Sequence, residues 1–258
     1  MNVNVDNKSL LLAFSLVLIS LLISHQQKLR LERETLIAVF RAVLQLILVG
    51  YLLATIFKVN NLVLTLAMQL LIVFNAAWNG KKRGGGIRYA FWIAWGGLML
   101  STFLTMGILL LTGVIKPQPF QLIPVTGMIA GNSMTAVGLV YRSLQQQFLD
   151  QQGQVFERLA LGANPKLASG DIFRTAIQTG MQPTIDSVKT YGIVSLPGMM
   201  SGLIMAGISP INAIKYQIMV VFMLLAATGI ASAWSAFLAY RQFYNSEWQL
   251  ILPKKETR

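Results

Sequence analysis

Stretches of about twenty residues without formal charge recur along almost the whole chain, and each is long enough to cross a hydrocarbon core of about 30 Å as a helix. They are 9–27, 35–57, 59–80, 89–115, 117–141, 190–214 and 216–240, interrupted internally only by Arg41 in the second. The 258 residues are 55% hydrophobic and 12% charged, with mean hydropathy +0.60, more apolar surface than a water-soluble domain buries. These windows predict an all-α polytopic membrane protein, a single domain over 1–258 with about seven transmembrane helices. Pro117, Pro119, Pro124 and Pro197 are expected to trim the fifth and sixth windows. The first window has no small-residue cleavage site after it and reads as a helix, not a signal peptide.

The cations fall unevenly between alternate loops. One set holds Lys28, Arg30, Arg33, Lys81, Lys82, Arg83, Arg88, Arg142, Arg158, Lys166, Arg174, Lys189, Arg241, Lys254, Lys255 and Arg258; the other holds only Lys8, Lys58, Lys116 and Lys215. Under the positive-inside bias this predicts an outside N-terminus and a cytoplasmic C-terminus in an inner or plasma membrane. The excess of 21 Lys+Arg over nine Asp+Glu is therefore read as topology, not as a nucleic-acid footprint. The basic turn Lys81-Lys82-Arg83 also suits contact with anionic lipid.

The long polar insertion, 142–189, is expected to form a cytoplasmic hairpin. Leu144, Phe148, Val155 and Leu159 share one helical face, so its first arm is an amphipathic extension of the fifth helix. Gly162 suits a helix stop, Asn164 an N-cap and Pro165 the first helical position of a second arm. Gly180 and Pro183 are expected to break that arm before the chain re-enters the membrane. The corner Glu157-Arg158-Leu159-Ala160-Leu161-Gly162-Ala163-Asn164-Pro165 resembles the cytoplasmic "EAA" loop of ABC-transporter permeases. It departs from that pattern in placing Glu157 five, not six, residues before Gly162, and in having Arg158-Leu159 for two alanines. The alternative is an ordinary surface hairpin.

Two blocks share the form G-M-x-small-G: Gly127-Met128-Ile129-Ala130-Gly131 and Gly198-Met199-Met200-Ser201-Gly202, the second preceded by Pro197. Glycines four apart either let two helices pack closely or place Met128, Met199 and Met200 along a translocation path. Thioether sulfur favours soft ions, whereas iron and aluminium prefer oxygen or imidazole, so lining or gating suits the methionines better than ligation. Polar groups inside the windows form a second set: Arg41 with Gln45, Gln69, Asn75 with Asn79, and Asn132-Ser133. They either glue helices together or line a path. Arg41, about 10 Å along its helix from Glu34, is also within reach of the interface by snorkelling. Asp186 and Lys189 form either an i,i+3 pair or part of the inner mouth of the path. His25, the single histidine, has no second His or Cys for a chelate.

Beyond these blocks, Gly50-Tyr51, Phe74-Asn75-Ala76-Ala77-Trp78-Asn79, Gly127 to Asn132, Ser195-Leu196-Pro197-Gly198-Met199-Met200-Ser201-Gly202-Leu203-Ile204 and Ala213-Ile214-Lys215-Tyr216-Gln217-Ile218-Met219-Val220 closely resemble the FetB-type iron-export ABC permease family, which includes the plant aluminium-sensitivity permeases. The resemblance runs over nearly the whole chain. It implies a permease with a separate ATP-binding partner in two copies, a homodimer of permeases, and iron export.

The sequence has no G-x-x-x-x-G-K-[ST] loop, no H-E-x-x-H and no Cys, so neither ATP hydrolysis nor thiolate or His-cluster chemistry is expected of this chain, and no cofactor. The leading expectation is a membrane-spanning permease subunit exporting iron, another metal or a metal complex on ATP hydrolysed elsewhere. An autonomous secondary transporter and a non-transporting scaffold are the alternatives. Residues contacting a metal are left unassigned, and a sugar-nucleotide-like substrate stays open.

Overall fold

A computed structural model describes residues 12–251, all helix and short turns, with only isolated β-bridges among the described residues. Lys8, the first residues of the 9–27 window, and Lys254, Lys255 and Arg258 lie outside them. The chain divides into two units, 1–60 and 61–258.

The first unit is a pair of helices, α1 (Ser15–Gln26) and α2 (Glu32–Val59). Lys28 and Arg30 adopt positive φ in the turn between them, and the Leu31 amide donates to the Ser24 hydroxyl at 3.2 Å. His25 Nδ1 lies 3.9 Å from Glu32 Oε1, with the imidazole largely exposed. Arg41 and Gln45, one turn apart on α2, are both exposed.

In the second unit the Asn61 side chain caps α3 (Leu62–Lys81) by accepting from the Val63 amide at 2.8 Å. Then come α4 (Ala90–Leu111), α5 (Pro119–Asp150), α6 (Gln152–Ala160), α7 (Pro165–Ala168), α8 (Gly170–Thr190), α9 (Gly198–Met205) and α10 (Pro210–Ala239), closed by a 3-10 turn at Tyr240–Phe243. Helices α5 and α10 run at the centre, α4 packs on both, α3 lies against α4 and α5, and α8 lies against α5 and α10. Buried Val73, Leu98, Val137, Val140, Tyr141 and Ile172 belong to one apolar cluster; Met106, Leu122, Ile129, Val220 and Met223 form a second. Gln69 Nε2 donates to Thr126 Oγ1 at 2.8 Å and Tyr141 Oη to the Ala90 carbonyl at 2.9 Å, tying α3 and α4 to α5.

Five of the described helices are long and apolar enough to cross a membrane: α2, α3, α4, α5 and α10 with its terminal turn. The first window is represented by the 12-residue α1. The sixth, 190–214, is not one helix. Gly192 takes φ +82, Pro197 supplies no amide donor, Gly207 takes φ +89, and between these breaks only the eight residues of α9 are helical. By contrast α5 starts with Pro119 at its first turn and continues through Pro124.

The expected break of the hairpin's second arm does not occur: α8 runs 21 residues through Gly180 and Pro183. Pro183 deprives the Thr179 carbonyl of its usual partner, but packing holds the helix. A Cβ on Gly180 would stand 2.7 Å from Val140 Cγ2, 2.8 Å from Ser232 Oγ and 3.1 Å from the Ala136 carbonyl. Gly180 is there because α8 presses on α5 and α10, not because the chain turns.

Candidate functional site

The corner between α6 and α8 is built from local signals. Leu144, Phe148 and Val155 are buried and Leu159 half-buried, so the apolar stripe carries the end of α5 and all of α6 over the inner part of the bundle. Phe148 stacks on Phe243 with ring centroids 4.2 Å apart. Gly162, at φ +87, ends α6 with its amide bonded to the Leu159 carbonyl and that of Ala163 to the Arg158 carbonyl. Asn164 Oδ1 accepts from the Leu167 amide at 2.9 Å and Pro165 opens α7, the cap expected from the spacing.

Arg158 ties the two sides of this corner together at the surface. Its Nη1 donates to the Ala168 carbonyl at 3.3 Å and its Nη2 meets Asp171 Oδ2 at 3.0 Å, while Arg174 approaches the other Asp171 oxygen at 3.7 Å. Glu157, Ala160 and Gly162 are exposed. So are two large apolar side chains, Leu161 at 88% and Leu167 at 67%, with Phe156 beside them. Sequence reasoning passed over Phe156, which lies off the stripe that the first arm buries, and Leu167, which follows the corner in α7. Next to the corner is a cavity of about 540 Å³ lined by Lys166, Asp171, Arg174, Phe237 and Tyr240. Tyr244 lines a neighbouring cavity, and burial raises its phenol pKa above the ordinary value.

The second arm brings polar groups alongside the membrane-length helices. Asn132 and Thr135 of α5, Pro183, Thr184 and Ser187 of α8, Tyr191 and Leu224 line one cavity of about 100 Å³. Asn132 Nδ2 donates to the Met128 carbonyl at 2.9 Å. On the exposed side of α8, Gln182 Nε2 donates to both Asp186 oxygens, at 2.9 and 3.0 Å, and Lys189 Nζ stands 3.5 Å from Asp186 Oδ1.

Beyond Thr190 the chain folds back on itself. The Thr190 carbonyl accepts from the amides of Ile193, Val194 and Ser195, and the Gly192 amide donates to the Ser195 carbonyl. Ile193 and Val194 point outward. Pro197 then precedes α9, whose Ser201 amide bonds to the Pro197 carbonyl.

The paired glycine blocks do not meet inside one chain. A Cβ at Gly127, Gly131, Gly198 or Gly202 would find nothing within 4 Å, so these faces are open. Met128 and Met199 pack against the second apolar cluster, while Met200 is half-buried. Asn79 Nδ2 bonds back to the Asn75 carbonyl on its own helix. Ser133 is buried with its hydroxyl unpartnered, as are Ser232 and Ser235 on α10.

The chain matches, over residues 7–244, the family described as "Uncharacterised protein family (UPF0014)". It is 51% identical over 249 residues to the "Probable iron export permease protein FetB" of Escherichia coli (strain K12), covering 96% of each chain. It is 34% identical over 238 residues to "Protein ALUMINUM SENSITIVE 3" of Arabidopsis thaliana, covering 92% of this chain and 87% of that one. The rice "UPF0014 membrane protein STAR2" is 36% identical, over 92% of this chain and 84% of its own. No solved structure matches the chain. An all-helical membrane architecture together with likeness over nearly full length places this chain in the UPF0014 family of membrane proteins.

Proposed function

We propose that the chain is the membrane-spanning permease subunit of an ATP-driven exporter, moving iron or another oxygen-seeking metal ion, with ATP hydrolysed by a separate subunit. The observation that carries this reading is the corner at 157–165. It is rigidly capped and stapled by Arg158, yet presents Leu161 and Leu167 to solvent. Exposed leucines on a fixed corner suit seating in a groove of a partner protein. Glu157 adds an exposed carboxylate beside them. The metal comes from the relatives, one named for iron export and one for aluminium sensitivity.

A homodimer fits the open faces. Gly127, Gly131 and Asn132 on α5 and Gly198 and Gly202 on α9 offer small or polar surface on which a second copy seats, with the path between copies. Asn75 and Asn79 of α3 belong to the same path, and Arg41 and Gln45 of α2 are path residues in the first unit by itself. On the cation asymmetry the corner, the 81–88 turn and the C-terminus face the cytoplasm from an inner or plasma membrane, and Lys116 faces outside.

The test is co-purification with the ATP-binding subunit and measurement of metal-stimulated ATP hydrolysis. Gly162→Trp fills the corner at a positive-φ position and is expected to abolish both binding and stimulation while leaving membrane insertion intact. Full binding and full coupled transport in that variant would remove the corner from the mechanism and raise the secondary-transporter reading, against which stands the lack of any Asp or Glu in the middle of an uncharged window.

A further inference from the structure

The turn that joins α3 to α4 gathers Lys81, Lys82, Arg83 and Arg88, and nothing negative reaches them. No Asp or Glu occurs between Glu34 and Asp150, and the ion pairs among the described residues all lie elsewhere. Unpaired like charges this close repel one another, so the turn keeps its shape through its contacts with the bundle. Arg83 lays its side chain along Gly138 of α5, with Nη1 3.2 Å from the position that a Cβ would take there. Gln145 Nε2 donates to the Gly85 carbonyl, and Gly84 leaves no room for a side chain against Tyr141 and Ala90.

With Arg83 turned onto α5, Lys81 and Lys82 stay exposed beside a cavity of about 270 Å³ that they line together with Trp78 and Gly84-Gly85-Gly86. The amides of Gly85 and Gly86 find no acceptor among the described residues. The wall therefore has two ammonium groups and spare N–H donors but no carboxylate, the complement of a phosphate oxyanion.

Two observations favour a lipid over a soluble ion. Helices α3 and α4 are both long and apolar enough to cross a membrane, so a turn between their ends at Lys81 and Ala90 lies at a membrane boundary. An apolar stripe also leads up to the cavity: Leu66, Leu70, Phe74 and Trp78 recur at every fourth residue of α3, all of them exposed. Phe74 and Trp78 meet Phe91 edge-on, and Phe91 meets the exposed Trp92, an aromatic array suited to the headgroup level. Lys81 Nζ stands 5.0 Å from the centre of the Trp78 ring, where the charged and apolar parts join. A soluble oxyanion has no use for the stripe; an amphiphile with a phosphate at one end fills both.

We infer that the turn at 81–86 binds an anionic phospholipid, its phosphate held by Lys81, Lys82 and the glycine amides and its acyl chains lying along the stripe of α3. Headgroups without a cation of their own are preferred, because the four cations of the turn have no counter-charge within the chain. The bound lipid ties the α3–α4 turn to the leaflet on its side, whatever the chain transports.

The experiment titrates the purified full-length chain, in neutral detergent, with phosphatidylglycerol brominated in its acyl chains and follows quenching of tryptophan fluorescence. Brominated phosphatidylcholine is the comparator, and Trp78 the reporter. Phosphatidylglycerol is expected to quench saturably and to bind about fivefold or more tighter than phosphatidylcholine, with Trp78→Phe removing the saturable part. Lys81→Gln with Lys82→Gln is expected to weaken binding about tenfold or more, at roughly fivefold for each cation lost near a membrane surface. Lys58→Gln with Lys116→Gln, an equal loss of charge at other turns, leaves binding as in the wild type. Inorganic phosphate is expected not to displace the lipid; full displacement by it assigns the cavity to a soluble oxyanion and overturns the lipid. Equal affinity for the two lipids, wild-type affinity in the Lys81/Lys82 double variant, or unchanged saturable quenching in Trp78→Phe each overturns the site as well. Should the double variant lose co-purification of an ATP-binding subunit while lipid affinity stays unchanged, the cations belong to a protein contact instead. If the double variant does not fold, the lipid preference of the wild type and the Trp78→Phe result decide.

Discussion

Substituting Gly180 by Ala sets two effects of opposite sign against each other, and the structure decides between them. Alanine raises helix propensity by about 0.8–1 kcal/mol over glycine. Its Cβ, however, would sit 2.7 Å from Val140 Cγ2, 2.8 Å from Ser232 Oγ and 3.1 Å from the Ala136 carbonyl. Val140 and Ser232 are fully buried, and the carbonyl belongs to the hydrogen-bonded backbone of α5 and moves only with that helix. Overpacking of this kind costs about 1–3 kcal/mol, which leaves Gly180→Ala destabilised by about 1 kcal/mol. At Gly131 the same change meets nothing within 4 Å, so only the propensity gain remains, about 0.8–1 kcal/mol of stabilisation in the isolated chain. The two variants should therefore differ by about 2 kcal/mol. Denaturant titration of the detergent-solubilised monomer, followed by the fluorescence of its five tryptophans, reads that difference directly. A Gly180→Ala chain as stable as Gly131→Ala would refute the close approach of α8 to α5.

Asn164→Ala removes the side-chain acceptor from the Leu167 amide and should lower stability by about 1 kcal/mol, with a larger loss of partner binding than of fold, measured by the same titration and by co-purification. A cysteine placed at position 116 of this Cys-free chain should react with an impermeant thiol reagent from outside intact cells; reaction only after permeabilisation overturns the orientation. Gly131→Leu and Gly202→Leu should leave the monomer folded but reduce dimer recovery in crosslinking, since both sites are empty within one chain.

The parts of the fold written in local signals were readable in advance. Uncharged windows mark α2, α3, α4, α5 and α10, and the Gly162, Asn164 and Pro165 corner follows from the backbone preferences of those three residues. Helix α8 was legible only as a hairpin arm, because Asp171, Arg174, Asp186 and Lys189 exclude it from any hydropathy window. The face it packs on α5 and α10, Ile172, Ala176, Gly180 and Thr184, is too short and too mixed to stand out as an apolar run, and its charged side chains stay exposed. Glycine spacing does not name the surface against which a helix packs. The i,i+4 pairs at Gly127/Gly131 and Gly198/Gly202 look like packing motifs, yet within the chain the close approaches of helix to helix fall on other glycines, among them Gly96 and Gly97 against Trp234 and Gly180 against residues 136, 140 and 232. The commitment of Arg158 to Asp171 and Ala168 has the same origin, since its partners lie across the corner and not along one helix.

Gly180 divides α8 evenly, with ten residues before it and ten after. Ile172, Ala176 and Thr184 are buried along the same face, and the tightest contact, at Gly180, makes the helix a beam with its pin near the centre and arms of about 15 Å on each side. One end carries the corner and the other the break at Tyr191. A tilt of about 10° about that pin shifts each end by roughly 2–3 Å, in opposite directions. Such a beam has a mechanical advantage of about one. It inverts a stroke without enlarging it, so the displacement arriving at Asp186 and Thr190 is set by how far the corner is pushed, and stiffness between the two ends matters more than reach.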